Sequence, residues 1–379
     1  MRTQRSQGWR SEGAKLGHEH EQVTYFADPA VGLRAIVAIH STELGPALGG
    51  IRFWHYAREE DARTDALRLS QAMTMKAAVA GLPQGGGKAV VFWDDPRAAR
   101  SDDFLRSLGR WIDVLGGRYL AAEDVGASQR DMDGIARETP WVTGVDPARG
   151  GSGDPSLVTA FGVLHGMQAA SEAAFGSADL AGRRIVVQGA GHVGASLAHL
   201  LVDSGADVAI ADIDAAKARA VGVPVLASDE VISAECDVFA PCALGGVLTR
   251  SSVAALRCVV VCGAANNQLL DDAAAEALEA RGIVYAPDYV VNAGGIINIA
   301  QEWAPGGYVA DRAYAEAARI RDTTAHVFAI ARDEHTTSAR AADELARRRI
   351  AAVGGGPYRP GEASAMRDAL IARHELFSH

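Results

Sequence analysis

Two lysines and one aspartate stand where a charged side chain needs an explanation. Lys76 closes the segment DARTDALRLSQAMTMK, in which Ala62, Ala66, Leu69 and Met73 recur at helical spacing. At 3.6 residues per turn Lys76 falls about 40° from Ala62 on the wheel, which puts an ammonium on the buried stripe. A buried ammonium needs an anion, and a substrate carboxylate would serve; the alternative is a lysine at a helix end whose stem snorkels to water. Lys88 follows three glycines in GLPQGGGKAVVFW, residues 81–93. The glycines would let a ligand approach the backbone and the lysine. A triphosphate-binding loop is excluded, because the residue five before Gly87 is Leu82 and Lys88 is followed by Ala89. Two lysines in one cleft, partly desolvated, would depress each other's pKa and make one of them usable as a base near neutrality. Asp124 ends the run AAED, where it could exchange protons with the same substrate or, alternatively, cap a helix after a strand.

A second group of residues points to a dinucleotide. The turn Gly189-Ala190-Gly191-His192-Val193-Gly194 follows a strand-like run, opens an amphipathic segment, and precedes Asp212 by 23 positions counted from Gly189. Gly189 would permit the tight turn, Gly191 would let a pyrophosphate reach the helix N-terminus, and Gly194 would allow close helix-to-strand packing. Asp212 would accept hydrogen bonds from an adenosine ribose and repel a 2′-phosphate, which favours NAD over NADP. The competing reading is a tight turn without a ligand and a helix-capping Asp212.

These residues require elements to hold them. From Arg183 an apolar strand runs into the glycine turn, a helix of about fourteen residues follows, and a second strand ends at Asp212. Further strand-like runs fall at 224–227, 237–241, 259–265 and 283–290, separated by helical or loop segments, which implies a parallel, doubly wound sheet. The first half mixes strands at 33–41, 85–93 and 118–124 with helices at 59–80 and 102–116. GGSGDPS, 150–156, is a natural boundary. The expected architecture is α/β in two domains: an N-terminal α/β substrate and catalytic domain, 1–150, and a Rossmann dinucleotide-binding domain, 151–330. A helical segment, 331–379, follows and is expected to pack back on the first domain.

At 379 residues the chain is long enough for two cores, and a net charge of -10 argues against nonspecific nucleic-acid or anionic-membrane binding. The polar first 22 residues lack an apolar signal core and are expected to fray; with no membrane-length apolar run, a cytoplasmic enzyme is expected. Cys236, Cys242, Cys258 and Cys262 lie in apolar runs without a CxxC pair, so reduced, mostly buried thiols are expected, and no metal.

The ordered motifs HSTELGPALGGIRFW, DALRLSQAMTMKAA, GLPQGGGKAVV, AAEDVG, GGSGDPS, APCALGG, GAANNQL and APDYVVNAGGIIN resemble those of the Glu/Leu/Phe/Val dehydrogenase superfamily, and within it the bacterial valine and leucine dehydrogenases. The resemblance runs from about residue 20 to about residue 350. It implies that Lys76 holds the substrate α-carboxylate, Lys88 is the catalytic lysine, Asp124 shuttles protons, and Asn292 orients the substrate. It places Ala264 and Asn266 near the nicotinamide, and Leu48, Gly49, Gly50, Ala122, Ile296 and Ile299 around the substrate. Departures occur at Ala72, Met75, Gln84, Ala127, His192 and the Gln301-Glu302 pair. The implied activity is NAD-dependent, reversible oxidative deamination of a small aliphatic L-amino acid to its 2-oxo acid and ammonia, in a homo-oligomer. An aromatic amino acid dehydrogenase would need a wider pocket, and a glutamate dehydrogenase a polar partner for the distal carboxylate. A non-catalytic NAD-binding scaffold or sensor would have no reason to keep Lys76, Lys88 and Asp124 together.

Overall fold

The computed structural model describes residues 19–95 and 98–358. The N-terminal segment to residue 18, most of the stretch expected to fray, lies outside the described residues, as does the chain beyond 358. The described chain forms two compact units. The first runs to Gly153 and also takes Ile299–Tyr308 and the residues from Arg347; the second is Asp154–Asn298 with Val309–Ala346. The expected boundaries at 150 and 330 therefore shift. Residues 299–308 return to the first unit, and the C-terminal segment divides at 346/347. Within the first unit, the Tyr358 amide donates to the Thr42 hydroxyl at 2.9 Å and the Gly355 amide to the Glu43 carbonyl at 3.3 Å.

The first unit is built on strands β1 (Gln22–Asp28), β2 (Leu33–Ser41), β3 (Ala47–Trp54), β4 (Gly85–Phe92) and β5 (Tyr119–Glu123). They lie in the order β1-β2-β4-β3-β5, antiparallel from β1 to β4 and parallel for β4, β3 and β5. Side chains alternate across the sheet. Phe26, Val37, Ile51, Phe53, Val91 and Tyr119 join a core with Phe104, Leu105 and Leu108 of the helix Asp102–Asp113. Ile36, Ala38 and Val90 turn the other way, onto Ala62, Ala66 and Leu67 of the helix Glu59–Val79. That helix opens with Glu59, Glu60 and Asp61 and carries Lys76 in its last turn, which matches its charges to the backbone dipole. Strands β1 and β3 were not expected as elements: glycines and an arginine interrupt the apolar alternation of β3.

The second unit holds β6 (Arg184–Gln188), β7 (Asp207–Ala211), β8 (Val238–Pro241), β9 (Val260–Val261) and β10 (Val284–Tyr285), all parallel, in the order β10-β9-β8-β6-β7. The strand expected at 224–227 reduces to one bridge between Val225 and Ile210. The last two strands are shorter than expected for local reasons. Gly263 lies so close to Pro241 that a Cβ would strike its backbone, and the chain after Pro287 winds into the helix Asp288–Val291. The chain order reverses between β6 and β8, the switch point at which ligands bind in open α/β sheets.

Candidate active site

Strand alternation places Leu48, Gly50 and Arg52 of β3, Gly86 and Lys88 of β4, and Ala122 of β5 on one face of the first sheet. Asp124 follows directly after β5. The Lys88 Nζ lies 2.8 Å from Asp124 Oδ2, and the Lys88 side chain is only 4% exposed. Arg52 Nε donates to the same Oδ2 at 2.9 Å, while its Nη1 reaches Asp65 Oδ2 at 2.9 Å. The Tyr56 hydroxyl donates to that Asp65 oxygen at 2.6 Å. Burial pushes the Lys88 pKa down, with the Arg52 charge adding to the effect and the Asp124 carboxylate opposing it. Burial alone would raise Asp124, but Lys88 and Arg52 together outweigh it and hold the carboxyl down to about 2. The leading like charge on Lys88 is thus Arg52, where the sequence suggested Lys76.

The glycines around this cluster make room for it. A Cβ at Gly50 would lie 2.5 Å from the Cβ of Asp124, so only glycine lets that carboxylate settle beside β3. A Cβ at Gly49 would strike the Gly87 carbonyl, one at Gly86 the Thr74 amide and Ser70 carbonyl, and one at Gly87 the Tyr119 ring. The Tyr119 hydroxyl in turn donates to the Gly49 carbonyl at 2.7 Å. The triple glycine therefore sits inside a strand paired on both sides and serves close packing. This corrects the reading that it opens the backbone to a ligand.

Lys76 is half-buried in the last turn of its helix. The buried stripe runs through Ala62, Ala66, Ser70, Thr74 and Ala77, whereas Leu69 and Met73 lie half-buried beside it with Lys76. The expected stripe was displaced because Ser70 and Thr74 satisfy their hydroxyls on the Leu67 and Ser70 carbonyls, at 2.9 and 3.3 Å, and so can face Gly86. Asp124 is not a helix cap. Ser128 holds that position ahead of Gln129–Ile135, with Asp131 reaching back to its amide at 2.8 Å. Leu48 and Ala122 are buried, as is Gln84, whose Oε1 lacks a hydrogen-bond partner. Arg52, Asp65 and Tyr119 were not singled out from the sequence. The available signal was an arginine two residues after Gly50, hence on the same strand face.

In the second unit the glycine turn lies at the switch point. Gly189 has φ +107°, a conformation that favours glycine, and a Cβ there would crowd Cys242 and Ala243 at the end of β8. Gly194 packs against the Gly189 carbonyl, whereas a Cβ at Gly191 would meet open space. Gly191 is the N-cap of the helix His192–Asp203 and offers no side-chain cap, so Val193 and its neighbours present their amides at an uncapped end. Asp212 Oδ2 accepts from the Ala190 amide at 2.7 Å, which lowers its pKa, and Oδ1 accepts from the Asp214 amide at 2.8 Å. The cap of the next helix, Ala215–Ala220, is Asp214. His192 faces Asp154 at 3.4 Å. Asn292 is 5% exposed; its Nδ2 donates to the Ala264 carbonyl at 3.0 Å and to Asn266 Oδ1 at 2.9 Å, and its Oδ1 is buried without a partner. Open space at Gly191, the uncapped amides and an ionised Asp212 fit a dinucleotide. Ile296 is buried in this unit, and Ile299 is half-buried in the first. All four cysteines are free thiols; Cys236, Cys258 and Cys262 are buried and Cys242 half-buried.

Residues 20–141 match the family model described as the Glu/Leu/Phe/Val dehydrogenase dimerisation domain, and residues 150–228 and 212–353 match that of Glutamate/Leucine/Phenylalanine/Valine dehydrogenase. The chain belongs to this dehydrogenase family. This Glu/Leu/Phe/Val dehydrogenase is 48% identical over 337 residues to the leucine dehydrogenase of Thermoactinomyces intermedius, covering 88% of this chain and 91% of that one. It is 48% identical over 338 residues to the valine dehydrogenase of Streptomyces virginiae, covering 87% and 94%. Among solved structures, L-tryptophan dehydrogenase from Nostoc punctiforme superposes with a TM-score of 0.78 at 38% identity, covering 91% of this chain and 99% of that one. The family resemblance read from the motifs is borne out, as are the two-domain α/β fold and the assignment as an oxidoreductase. Among the described residues, no helix is long and apolar enough to cross a membrane.

Proposed function

We propose that this dehydrogenase carries out NAD-dependent, reversible oxidative deamination of a branched-chain L-amino acid, giving the 2-oxo acid and ammonia. The observation that carries the reading is the buried Lys88 paired with Asp124 at 2.8 Å, a base and a proton relay within one hydrogen bond. Lys76 anchors the substrate carboxylate. Asn292 Oδ1, a buried acceptor without a partner, takes a hydrogen bond from the substrate amine or the nicotinamide amide. Gly189 to Gly194 and Asp212 would hold the dinucleotide, and Ala264 and Asn266 are the residues assigned to its nicotinamide. A bound nicotinamide would supply the hydride acceptor for the substrate α-carbon. Neutral Lys88 then takes a proton from water as its oxygen adds to the substrate iminium, and Asp124 relays protons while the carbinolamine loses ammonia. Asp212 sets the preference for NAD, because its charge would face a 2′-phosphate. The match to a dimerisation domain supports a homo-oligomer. A panel of L-amino acids with NAD and NADP, read by nicotinamide absorbance, tests the reading: NADH formation with leucine, isoleucine and valine is expected, and none with any amino acid would refute it.

A further inference from the structure

A lysine paired one-to-one with a buried carboxylate is a poor base, because losing its proton would strand the carboxylate in a desolvated site. The arrangement here differs from such a pair. Asp124 Oδ2 is forked between Lys88 Nζ at 2.8 Å and Arg52 Nε at 2.9 Å. Arg52 is fixed at its other end by Asp65 at 2.9 Å, and that same Asp65 oxygen is fixed by the Tyr56 hydroxyl at 2.6 Å. We propose that Arg52 is a positioning residue for the Lys88–Asp124 couple: it holds the shared carboxylate oxygen in place and neutralises it whenever Lys88 gives up its proton. A guanidinium stays charged throughout the working pH range, so with Lys88 neutral the charges of Arg52 and Asp124 still cancel. Asp124 thus keeps a cation beside it in both states of Lys88, while the four groups, Asp65 included, cycle between a net charge of zero and minus one. Asp65 takes the second arm of the guanidinium and the Tyr56 hydroxyl, and its side chain, 29% exposed, leaves the excess negative charge in contact with water rather than beside Lys88.

This inference rests on the proposed reaction, and its test separates the two. The groups around Lys88 are Asp124 after β5, Arg52 on β3, Asp65 on the helix Glu59–Val79, Tyr56 ahead of that helix, and Tyr119 on β5, whose phenol burial keeps protonated. Arg52→Met and Arg52→Gln remove the charge with different shapes; Arg52→Lys keeps it. The chain has only four lysines, Lys15, Lys76, Lys88 and Lys217, so 13Cε-labelled lysine permits a direct NMR titration of Lys88 that needs no turnover. In both neutral variants the Lys88 midpoint should rise by about one unit or more, since a repelling cation is lost and the carboxylate is left to Lys88 alone. The limb of kcat/KM that requires neutral Lys88 should move up with it, so activity falls about tenfold near pH 7.5 and recovers in alkali. Arg52→Lys should restore most of the wild-type profile, and KM for NAD should stay unchanged. An unmoved Lys88 midpoint, an equal activity loss at every pH, or failure of both neutral variants to fold would overturn the proposal. A wild-type protein without turnover would refute the functional reading, while the NMR titration would still decide the role of Arg52.

Discussion

Lys88, Asp124 and Arg52 arrive from neighbouring strands and converge because Gly50, between them on the sheet face, has no side chain. Removing the proposed base without changing the volume greatly should leave that geometry in place. Lys88→Met is expected to lower kcat by about 10²- to 10⁴-fold, the range typical of general acid–base catalysis, and Asp124→Asn similarly. NAD binding, followed by fluorescence quenching, should change little, since the glycine turn belongs to the other unit. A Lys88→Met enzyme with near wild-type kcat would remove the assigned role. Asp212→Ala should narrow the ratio of kcat/KM between NAD and NADP, and an unmodified enzyme using both equally would contradict the ribose assignment. Lys88 and Asp124 were legible as charges set in apolar runs. Arg52 was not, because an arginine's long stem can carry its charge to water, and only strand alternation from Gly50 shows that it points at Asp124.

At the level of elements, glycines that look alike in sequence do opposite work. Gly86 lets the helix Glu59–Val79 lie on β4, since a Cβ would press on the Thr74 amide and Ser70 carbonyl, backbone atoms that cannot swing aside. Gly191 touches nothing with its missing Cβ and has φ -71°, which any residue adopts. Gly86→Ala should therefore cost about 1–3 kcal/mol of stability and raise KM for the amino acid by shifting the Lys76 helix against the Lys88 strand. Gly191→Ala should leave the ligand-free Tm almost unchanged while weakening NAD about tenfold or more. Thermal denaturation with and without NAD reads both, and equal Tm losses in the two variants would contradict the division. Periodicity gave the limits of the helix Glu59–Val79 and of β2 and β4 closely, because their patterns are local. It failed at β9 and β10, where the ladder is cut by a close approach of Gly263 to Pro241 and by the turn at Pro287. It also missed the true buried stripe of the helix, which uses Ser70 and Thr74 rather than Leu69 and Met73 because only small residues fit over Gly86.

For the whole molecule the open question is which side chain the enzyme accepts, and the two sets of relatives frame it. Identity is 48% to the leucine and valine dehydrogenases and 38% to the tryptophan dehydrogenase of known structure. Leu48 and Ala122 are buried on the sheet face that carries Lys88, at 0% and 3% exposure, and both side chains are apolar. A distal carboxylate or ammonium against such a wall would lose its hydration at a cost of several kcal/mol, so glutamate and lysine should be poor substrates. Leucine, isoleucine and valine differ by at most a methylene, worth about 1–3 kcal/mol in an apolar pocket, so their kcat/KM values should lie within about 200-fold of one another. Leu48 is the residue that should crowd an aromatic ring. Truncating it leaves a cavity that lowers stability by about 2–5 kcal/mol, so the informative quantity is a ratio of kcat/KM values on one preparation, from which the folded fraction cancels. Leu48→Gly combined with Ala122→Gly should raise kcat/KM for L-phenylalanine relative to L-valine by tenfold or more, about 1.4 kcal/mol of discrimination. An unmodified enzyme that prefers L-phenylalanine or L-tryptophan over every aliphatic amino acid would overturn the pocket assignment while leaving the dehydrogenase chemistry proposed for Lys88 and Asp124 intact.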